Sequence, residues 1–272
     1  MTTLVSRSNP RIKQIHHLFN QRRQRAASGL FVVEGIWHVG EACTAQAQVE
    51  YICYAPDLLS SDFAQRLIQE QSELGVPCLA VGKETFTNLA SKDNPQGILA
   101  VVKQPHLELE SLSKESFAFG VALLAPQDPG NIGSILRTVD AVGASGVILL
   151  DDPSNNQFSA DPYHPNSVRA SMGAIFWYPL ISTKFVNFSQ WARTQGYHVY
   201  GTSAHATQDY HRVEKYERPM ILLMGSEREG LSSAQSAMCD EMVRIPMQGR
   251  VTSLNLAVAT GIMLYTIVNQ MG

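Results

Sequence analysis

The stretch Leu222-Leu223-Met224-Gly225-Ser226-Glu227-Arg228-Glu229-Gly230, with the chain that follows it as far as Asn269, decides the fold. It continues an apolar run from Ile221 and breaks into a glycine turn. Val243-Arg244-Ile245-Pro246-Met247-Gln248-Gly249 then reads as a strand that stops at a proline and enters a loop. Ser253-Leu254-Asn255 opens a helix, Leu256 to Val268, that is apolar nearly all round. Such a helix is expected to be buried on most sides. Broken by Thr260, Gly261 and Thr266, it falls short of a membrane span, which needs roughly twenty apolar residues. Ala257 and Gly261 lie one turn apart, and a mid-helix glycine costs about 1 kcal/mol relative to alanine, so close approach of another backbone is expected there. If this helix packs across the strand ends, the two glycine loops and the helix start converge. Converging backbone amides and carbonyls suit a small polar cofactor.

Composition bounds the rest. At 272 residues and 44% hydrophobic content, two globular domains are expected. Cys43, Cys53, Cys78 and Cys239 lie far apart with no Cys-x-x-Cys, which argues against a zinc site and against a disulfide framework. His205, Asp209 and His211 are close in sequence but have no partner at metal-ligand spacing, so they read as a surface loop, and no metal is expected. The N-terminal stretch lacks the apolar core of a signal peptide, so a cytoplasmic protein is expected. The net charge of −3 hides an asymmetry. Arg7, Arg11, Lys13, Arg22, Arg23 and Arg25 all precede the first acid, Glu34, and the remaining 15 bases face all 24 acids. A basic end on an acidic body is either the footprint of a local contact with a polyanion such as RNA or a solvated helix face, as charge runs usually are.

Along the chain, Asn9 to Ala27 reads as one helix with Ile12, Ile15, Leu18 and Phe19 on its apolar stripe, ended by Ser28-Gly29. Strands are predicted at Leu30–Val33, Tyr51–Tyr54, Val76–Val81 and Ile98–Val102, and helices at Ile36–Ala45, Asp62–Glu73 and Lys83–Ala90. This is a small α/β domain over residues 1–103. A polar, weakly periodic linker covers 104–116. From 117 to 272 strands and helices alternate: strands at Val121–Ala125, Val147–Leu150, Ile175–Pro179, Tyr197–Gly201, Met220–Met224 and Met242–Ile245, helices at Ile132–Val142, Asn166–Met172, Phe188–Gln195 and Ser232–Met238. Gly143 and Gly196 fall where helix ends favour a left-handed residue. Such alternation implies a mostly parallel sheet covered on both faces, with ligands beyond the carboxyl ends of its strands.

Residue chemistry alone leaves alternatives open. Asn131, at the start of the helix after Asp128-Pro129-Gly130, is either a cap or a site residue. Arg137 is either a salt-bridge partner or a catalyst. Glu227 satisfies backbone N–H groups at a helix start or orients a substrate. Ser253 is a plausible N-cap, with Asn255 just after it.

Taken together, Asn131-Ile132-Gly133-Ser134-Ile135-Leu136-Arg137, the Met224–Gly230 turn with Ile245-Pro246-Met247, and Ser253-Leu254-Asn255 resemble the three signature motifs of the SpoU (TrmH-like) RNA ribose methyltransferases, in order and at the right spacing. The resemblance covers residues 119–270 closely and the N-terminal part more loosely. It implies a deep trefoil knot of the SPOUT type in the C-terminal domain, an RNA-binding N-terminal module, a homodimer, and S-adenosyl-L-methionine as cofactor without a metal. It further implies catalytic roles for Asn131, Arg137, Glu227, Ser253 and Asn255. Gly225, Ile245, Met247 and Leu254 match positions that cradle the cofactor, with Thr202 added from the end of its strand. Arg169, in the segment Arg169-Ala170-Ser171-Met172-Gly173, is expected to face the site or the RNA, alongside Arg7, Arg11, Arg22, Arg23 and Arg25. A guanidinium is not deprotonated in proteins. Arg137 is therefore expected to clamp a substrate phosphate and stabilise a developing 2′-oxyanion rather than act as a base.

The expected activity is transfer of a methyl group to a ribose 2′-hydroxyl in structured RNA, with ribosomal RNA preferred over tRNA as substrate because of the appended N-terminal domain. The alternatives are a tRNA ribose 2′-O-methyltransferase and a catalytically silent RNA-binding relative. A dinucleotide enzyme is disfavoured, because Gly130-Asn131-Ile132-Gly133 lacks the Gly-x-Gly-x-x-Gly spacing.

Overall fold

The computed structural model describes residues 4–91 and 94–271; Met1 to Thr3, the start of the stretch read for a signal peptide, lie outside the described residues. Two compact units make up the chain. One is Met1–Pro105 with Asp161–Trp177, and the other is His106–Ala160 with Tyr178–Gly272. The division 1–103, 104–116, 117–272 is thus corrected in one respect: a segment of the later sequence is built into the first unit. Its aromatic residues explain why, since Tyr163 and Phe176 both pack on Phe31, with ring centroids 4.8 Å and 6.2 Å away.

The first unit begins with α1 (Pro10–Asn20), capped by the Asn9 side chain, with Ile12, Ile15, Leu18 and Phe19 buried. The single helix expected to Ala27 is two helices. The chain is extended at Gln21 (φ −128°, ψ 107°) before α2 (Arg22–Ser28), which ends at Gly29 with φ 64°. The break has a physical cause. The last carbonyls of a helix have no partner within it, and here Arg25 turns back beneath α1 to donate to the carbonyls of Leu18 and Phe19. Then come β1 (Leu30–Glu34), α3 (Ile36–Thr44), β2 (Val49–Tyr54), α4 (Asp62–Glu73), β3 (Cys78–Ala80), α5 (Lys83–Leu89) and β4 (Ile98–Lys103). The sheet order is β1-β4-β2-β3, with β4 antiparallel to both neighbours and β2 parallel to β3. Central β4 is buried from Ile98 to Val102, as its unbroken apolar run requires of a strand covered on both faces. Val32, Tyr51 and Leu99 pack with α1 and α5 on one face. Phe31 points the other way, toward the Asp161–Trp177 segment.

The second unit runs β5 (Phe119–Leu124), α6 (Pro129–Val142) and β6 (Gly146–Asp151). It resumes, after α7 (Pro165–Ala170) of the first unit, with β7 (Leu180–Lys184), α8 (Phe185–Gln195), β8 (His198–Thr202), β9 (Gln208–Asp209), β10 (Met220–Met224), α9 (Ser233–Ser236), β11 (Glu241–Arg244) and α10 (Leu256–Met271). Its sheet has the order β7-β6-β5-β10-β8-β11-β9, and every pair is parallel. The strand expected at Ile175–Pro179 is not one. Ala174–Phe176 is a 3-10 turn and the strand lies at Leu180–Lys184. A short apolar run does not reveal its structure by periodicity, and this one is apolar because it packs into the first unit. The loop expected around Asp209 contains the two-residue β9, whose Asp209 is paired with Arg244 of β11 at 2.6 Å.

Helix α10 packs on α6 and buries Leu256, Thr260, Met263, Leu264 and Ile267. It is less covered than its composition implies, since Val258 and Tyr265 are 52% and 54% exposed. A Cβ added at Gly261 would sit 4.0 Å from Thr138 Cγ2, so within one chain no close approach demands glycine there. No helix among the described residues is long and apolar enough to cross a membrane.

Candidate functional site

Connections from β5 lead to one side of the sheet and those from β10 to the other, and the two strands are neighbours. Ligands of parallel sheets bind at such a reversal, beyond the carboxyl ends of the strands. The turns leaving β5 and β10 meet there, and both carry motif residues.

Out of β5 the chain turns sharply at Ala125, whose φ of 42° is left-handed and costs a non-glycine residue of order 1 kcal/mol. Gln127 holds this turn, its Nε2 donating to the carbonyls of Ala125 and Phe158, both at 2.8 Å. Asp128 caps α6 by accepting from the Gly130 amide at 2.8 Å, and Pro129 stands at the first helical position. The cap is therefore Asp128, which leaves Asn131 free to point inward. Buried Asn131 donates from Nδ2 to Glu227 Oε1 at 2.5 Å, and its Oδ1 accepts from Asn255 Nδ2 at 3.0 Å. The backbone N–H of Gln127 donates to Glu227 Oε2 at 3.2 Å. Asn255 Oδ1 accepts from the amides of Ala257 and Val258, so Asn255, and not Ser253, caps α10. One continuous network thereby joins residues from all three motifs, with both Glu227 oxygens engaged and both Asn side chains fixed in orientation.

The turn after β10 closes on itself: Ser226 and Gly230 exchange two backbone hydrogen bonds of 3.0 Å. A Cβ at Gly225 would lie 2.5 Å from the Gly230 carbonyl carbon, so only glycine fits. Behind it, Glu229 accepts from Gln157 at 3.0 Å, and Gln235 bridges Gln157 to Asp152. Burial pushes the Asp152 carboxyl up, but donation from Ser154, Asn155 and Gln235 outweighs it and holds the group below its ordinary value. A carboxyl lowered on folding stabilises the fold above its unfolded pKa and loses that contribution as pH falls through the folded value. This support of the turn is thus expected to weaken only in acid, read as a loss of amide-exchange protection at Ser226–Gly230, relative to the intrinsic rate at the same pH, below about pH 4.

Beside this turn lies a cavity of about 370 Å³, within the size range of small-molecule sites. Thr202, Gly225, Ile245, Met247 and Leu254, the five residues expected to hold the cofactor, all line it, as do Glu227 and Ser253. His205 and Thr252 line it as well. The reading of His205 as a plain surface loop missed this, although its place just past the end of β8 was the available signal. Gln127 carried no signal at all, because it acts through its backbone N–H and through two carbonyls. Arg137 stands apart. It is exposed, does not line the cavity, and its side chain makes no hydrogen bond or ion pair to another described residue, so the salt-bridge reading finds no acid for it among them.

In the first unit the basic residues divide. Arg22 and Arg23 are exposed on α2. Arg11 lies over the Tyr51 ring at 5.2 Å, and Arg7 pairs with Glu84 at 2.8 Å. Exposed Arg169 donates to Asn166 Oδ1 at 2.9 Å. Arg25 is a correction: it is 2% exposed and paired with Asp161 at 2.6 Å, so it holds the unit together and presents nothing to RNA. No group of three or more His, Cys, Asp or Glu among the described residues could hold a metal ion.

Comparison with known proteins places this arrangement. Residues 118–265 match the SpoU rRNA Methylase family, and residues 9–100 match the MRM3-like substrate binding domain. The chain is 31% identical to a 23S rRNA (uridine(2479)-2′-O)-methyltransferase of Streptomyces viridochromogenes, over 98% of this chain and 92% of that protein. It is 28% identical to the 23S rRNA (guanosine(2553)-2′-O)-methyltransferase RlmP of Bacillus subtilis, over 97% and 98%. Among solved structures, an AdoMet-bound rRNA methyltransferase from Sinorhizobium meliloti superimposes with a TM-score of 0.86 at 32% identity, covering 98% of this chain and 97% of that one. With the three motifs joined in one network beside the cavity, and these matches spanning both units, the chain belongs to the SpoU rRNA methylase family.

Proposed function

We propose that the chain methylates a ribose 2′-hydroxyl in ribosomal RNA, with S-adenosylmethionine as donor. The observation that carries this is the Glu227–Asn131–Asn255 network beside the Gly225 cavity. The cavity fits the cofactor in kind: a backbone turn with no room for a side chain, and apolar walls from Met224, Val243, Ile245, Met247 and Leu254. When bound, S-adenosylmethionine supplies an electrophilic methyl group. The chain's own residues orient the acceptor and stabilise charge. Glu227 and the two Asn side chains form a fixed polar rim, and Arg137 meets the negative charge that builds on the 2′-oxygen as its proton leaves to solvent or to a substrate phosphate. One relative is named for a uridine and another for a guanosine, so what they share is the ribose oxygen rather than the base. S-adenosylhomocysteine is expected to raise the melting temperature and NAD to leave it unchanged. Mapping 2′-O-methyl groups in RNA from a deletion strain should show one missing from ribosomal RNA; a methyl group missing from tRNA instead would favour the tRNA alternative, and an intact pattern would refute the assignment.

The same reading includes a homodimer, a cytoplasmic location and a C-terminal segment threaded as a trefoil knot. The uncovered side of α10 supports the dimer, because a second copy on that side would cover Val258 and Tyr265. Stable dimers of this kind bury about 2,000 Å² or more. Light scattering should give twice the 29.9 kDa chain mass, and Tyr265→Glu should halve it. A monomer at every micromolar concentration would refute the dimer.

On the first unit, replacing Arg22 and Arg23 by alanine should flatten the salt dependence of RNA binding, by about 0.7–0.9 in log–log slope for each phosphate that is no longer neutralised. An unchanged slope would mean that α2 only faces solvent.

A further inference from the structure

We infer that Trp37 and Trp177 form a platform on the first unit that stacks unpaired RNA bases, an inference resting on the RNA substrate proposed above. Both indoles are unusually open for their size, at 58% and 51% exposed. Both are also pinned by their polar edge. Trp37 Nε1 donates to the Met172 carbonyl at 3.0 Å, and Trp177 Nε1 donates to Glu41 Oε2 at 2.8 Å. With its N–H bonded to a protein oxygen, each ring is oriented and offers solvent an apolar π-face. The two rings belong together. Trp37 and Glu41 are one turn apart on α3, hence neighbours on its surface, and Glu41 holds Trp177. Gly173 clamps the arrangement: its φ is 102°, and a Cβ there would meet Glu41 Cγ at 2.6 Å.

The surrounding charge selects the occupant. Arg169 lies three residues before Met172, and among the described residues its guanidinium is bonded only to the Asn166 side-chain oxygen, which leaves donors for a phosphate. At the other end of the same Asp161–Trp177 segment, Asp161 is tied to α2, the helix that carries exposed Arg22 and Arg23. Arg169, a cation that takes a phosphate, and Trp177, a pinned aromatic face that takes a base, share one segment, with Trp37 joined to it through Met172, and this combination matches single-stranded RNA. Sequence-specific proteins take hold of such RNA by stacking its splayed bases. A second protein copy would find these charges a poor apolar seat.

The test uses a short single-stranded oligoadenylate, with an RNA duplex of equal length as control. Tryptophan emission of the full-length protein should be quenched by the oligoadenylate and not by the duplex. The third tryptophan, Trp191, is 7% exposed and serves as internal reference. In a Trp37→Phe, Trp177→Phe variant, quenching should vanish while binding is largely kept. In the alanine pair, affinity should fall by about 5- to 150-fold for each base that loses its ring. The salt slope should not change, which separates stacking from phosphate neutralisation. The alanine pair should keep its stabilisation by S-adenosylhomocysteine. Unchanged oligoadenylate affinity would overturn the platform, and so would a change in oligomeric mass without a fall in affinity. Absence of stabilisation by S-adenosylhomocysteine in the wild-type protein would instead overturn the methyltransferase reading and leave the oligoadenylate result to stand on its own.

Discussion

Arg137→Ala is expected to bind S-adenosylhomocysteine as the wild-type protein does and to slow single-turnover methyl transfer by about 10²-fold or more, the scale for removing one oxyanion donor. Binding should survive because Arg137 does not line the cavity and supports no other side chain among the described residues. A surface arginine with no protein partner contributes little to stability, so a fall in rate without a fall in melting temperature isolates the chemical role. Arg137→Lys should recover little, since an ammonium point charge does not reproduce a planar, bidentate fork. If the arginine worked as a literal base, the lysine variant would regain activity as pH rises, because an amine deprotonates and a guanidinium does not. Near-wild-type transfer in the alanine variant would remove Arg137 from the mechanism.

The second large effect is on stability. Asp161→Ala should destabilise the protein by about 3–5 kcal/mol, because it leaves the Arg25 guanidinium buried beside an empty position. The pair is well inside the first unit, with side chains 3% and 11% exposed and 2.6 Å apart. For a chain of this size that corresponds to a melting temperature lower by on the order of 10 °C. Arg25→Lys should be nearly as damaging, since it gives up the bonds to the Leu18 and Phe19 carbonyls at the end of α1. Replacing both partners by apolar residues, Arg25→Met with Asp161→Leu, should restore much of the stability, as removing a buried charge pair together often does. Urea denaturation separates these outcomes. A single Asp161→Ala variant within about 1 kcal/mol of wild type would show that the pair is solvated in solution.

Several features whose determining interaction is local were legible in the amino-acid sequence alone. Helix α4 spans Asp62–Glu73, the bounds expected from the sequence, with the Ser61 side chain accepting from the Ala64 amide at its start. Gly143 and Gly196 take left-handed conformations at helix ends, because no side chain is strained there. The parallel sheet follows from the alternation of strands and helices, and the SpoU motifs place the site at its carboxyl ends. These are consequences of contacts three or four residues apart, or of a pattern repeated along the chain. What the tertiary structure alone decided depends on which distant segment arrives. Asn131 meets Asn255 and Glu227 rather than capping α6, and Asn255 takes the cap expected of Ser253. Arg25 looks like its neighbours Arg22 and Arg23 in sequence, yet it is buried because Asp161 and two carbonyls of α1 reach it. Residues 161–177 join a sheet that ended more than fifty residues earlier, and the apolar run at 174–176 becomes a turn against Phe31 instead of a strand. A side chain carries the same propensity wherever it falls, whereas its partner is chosen by the folded whole, so most of the elements were legible in the sequence and the pairings between them were not.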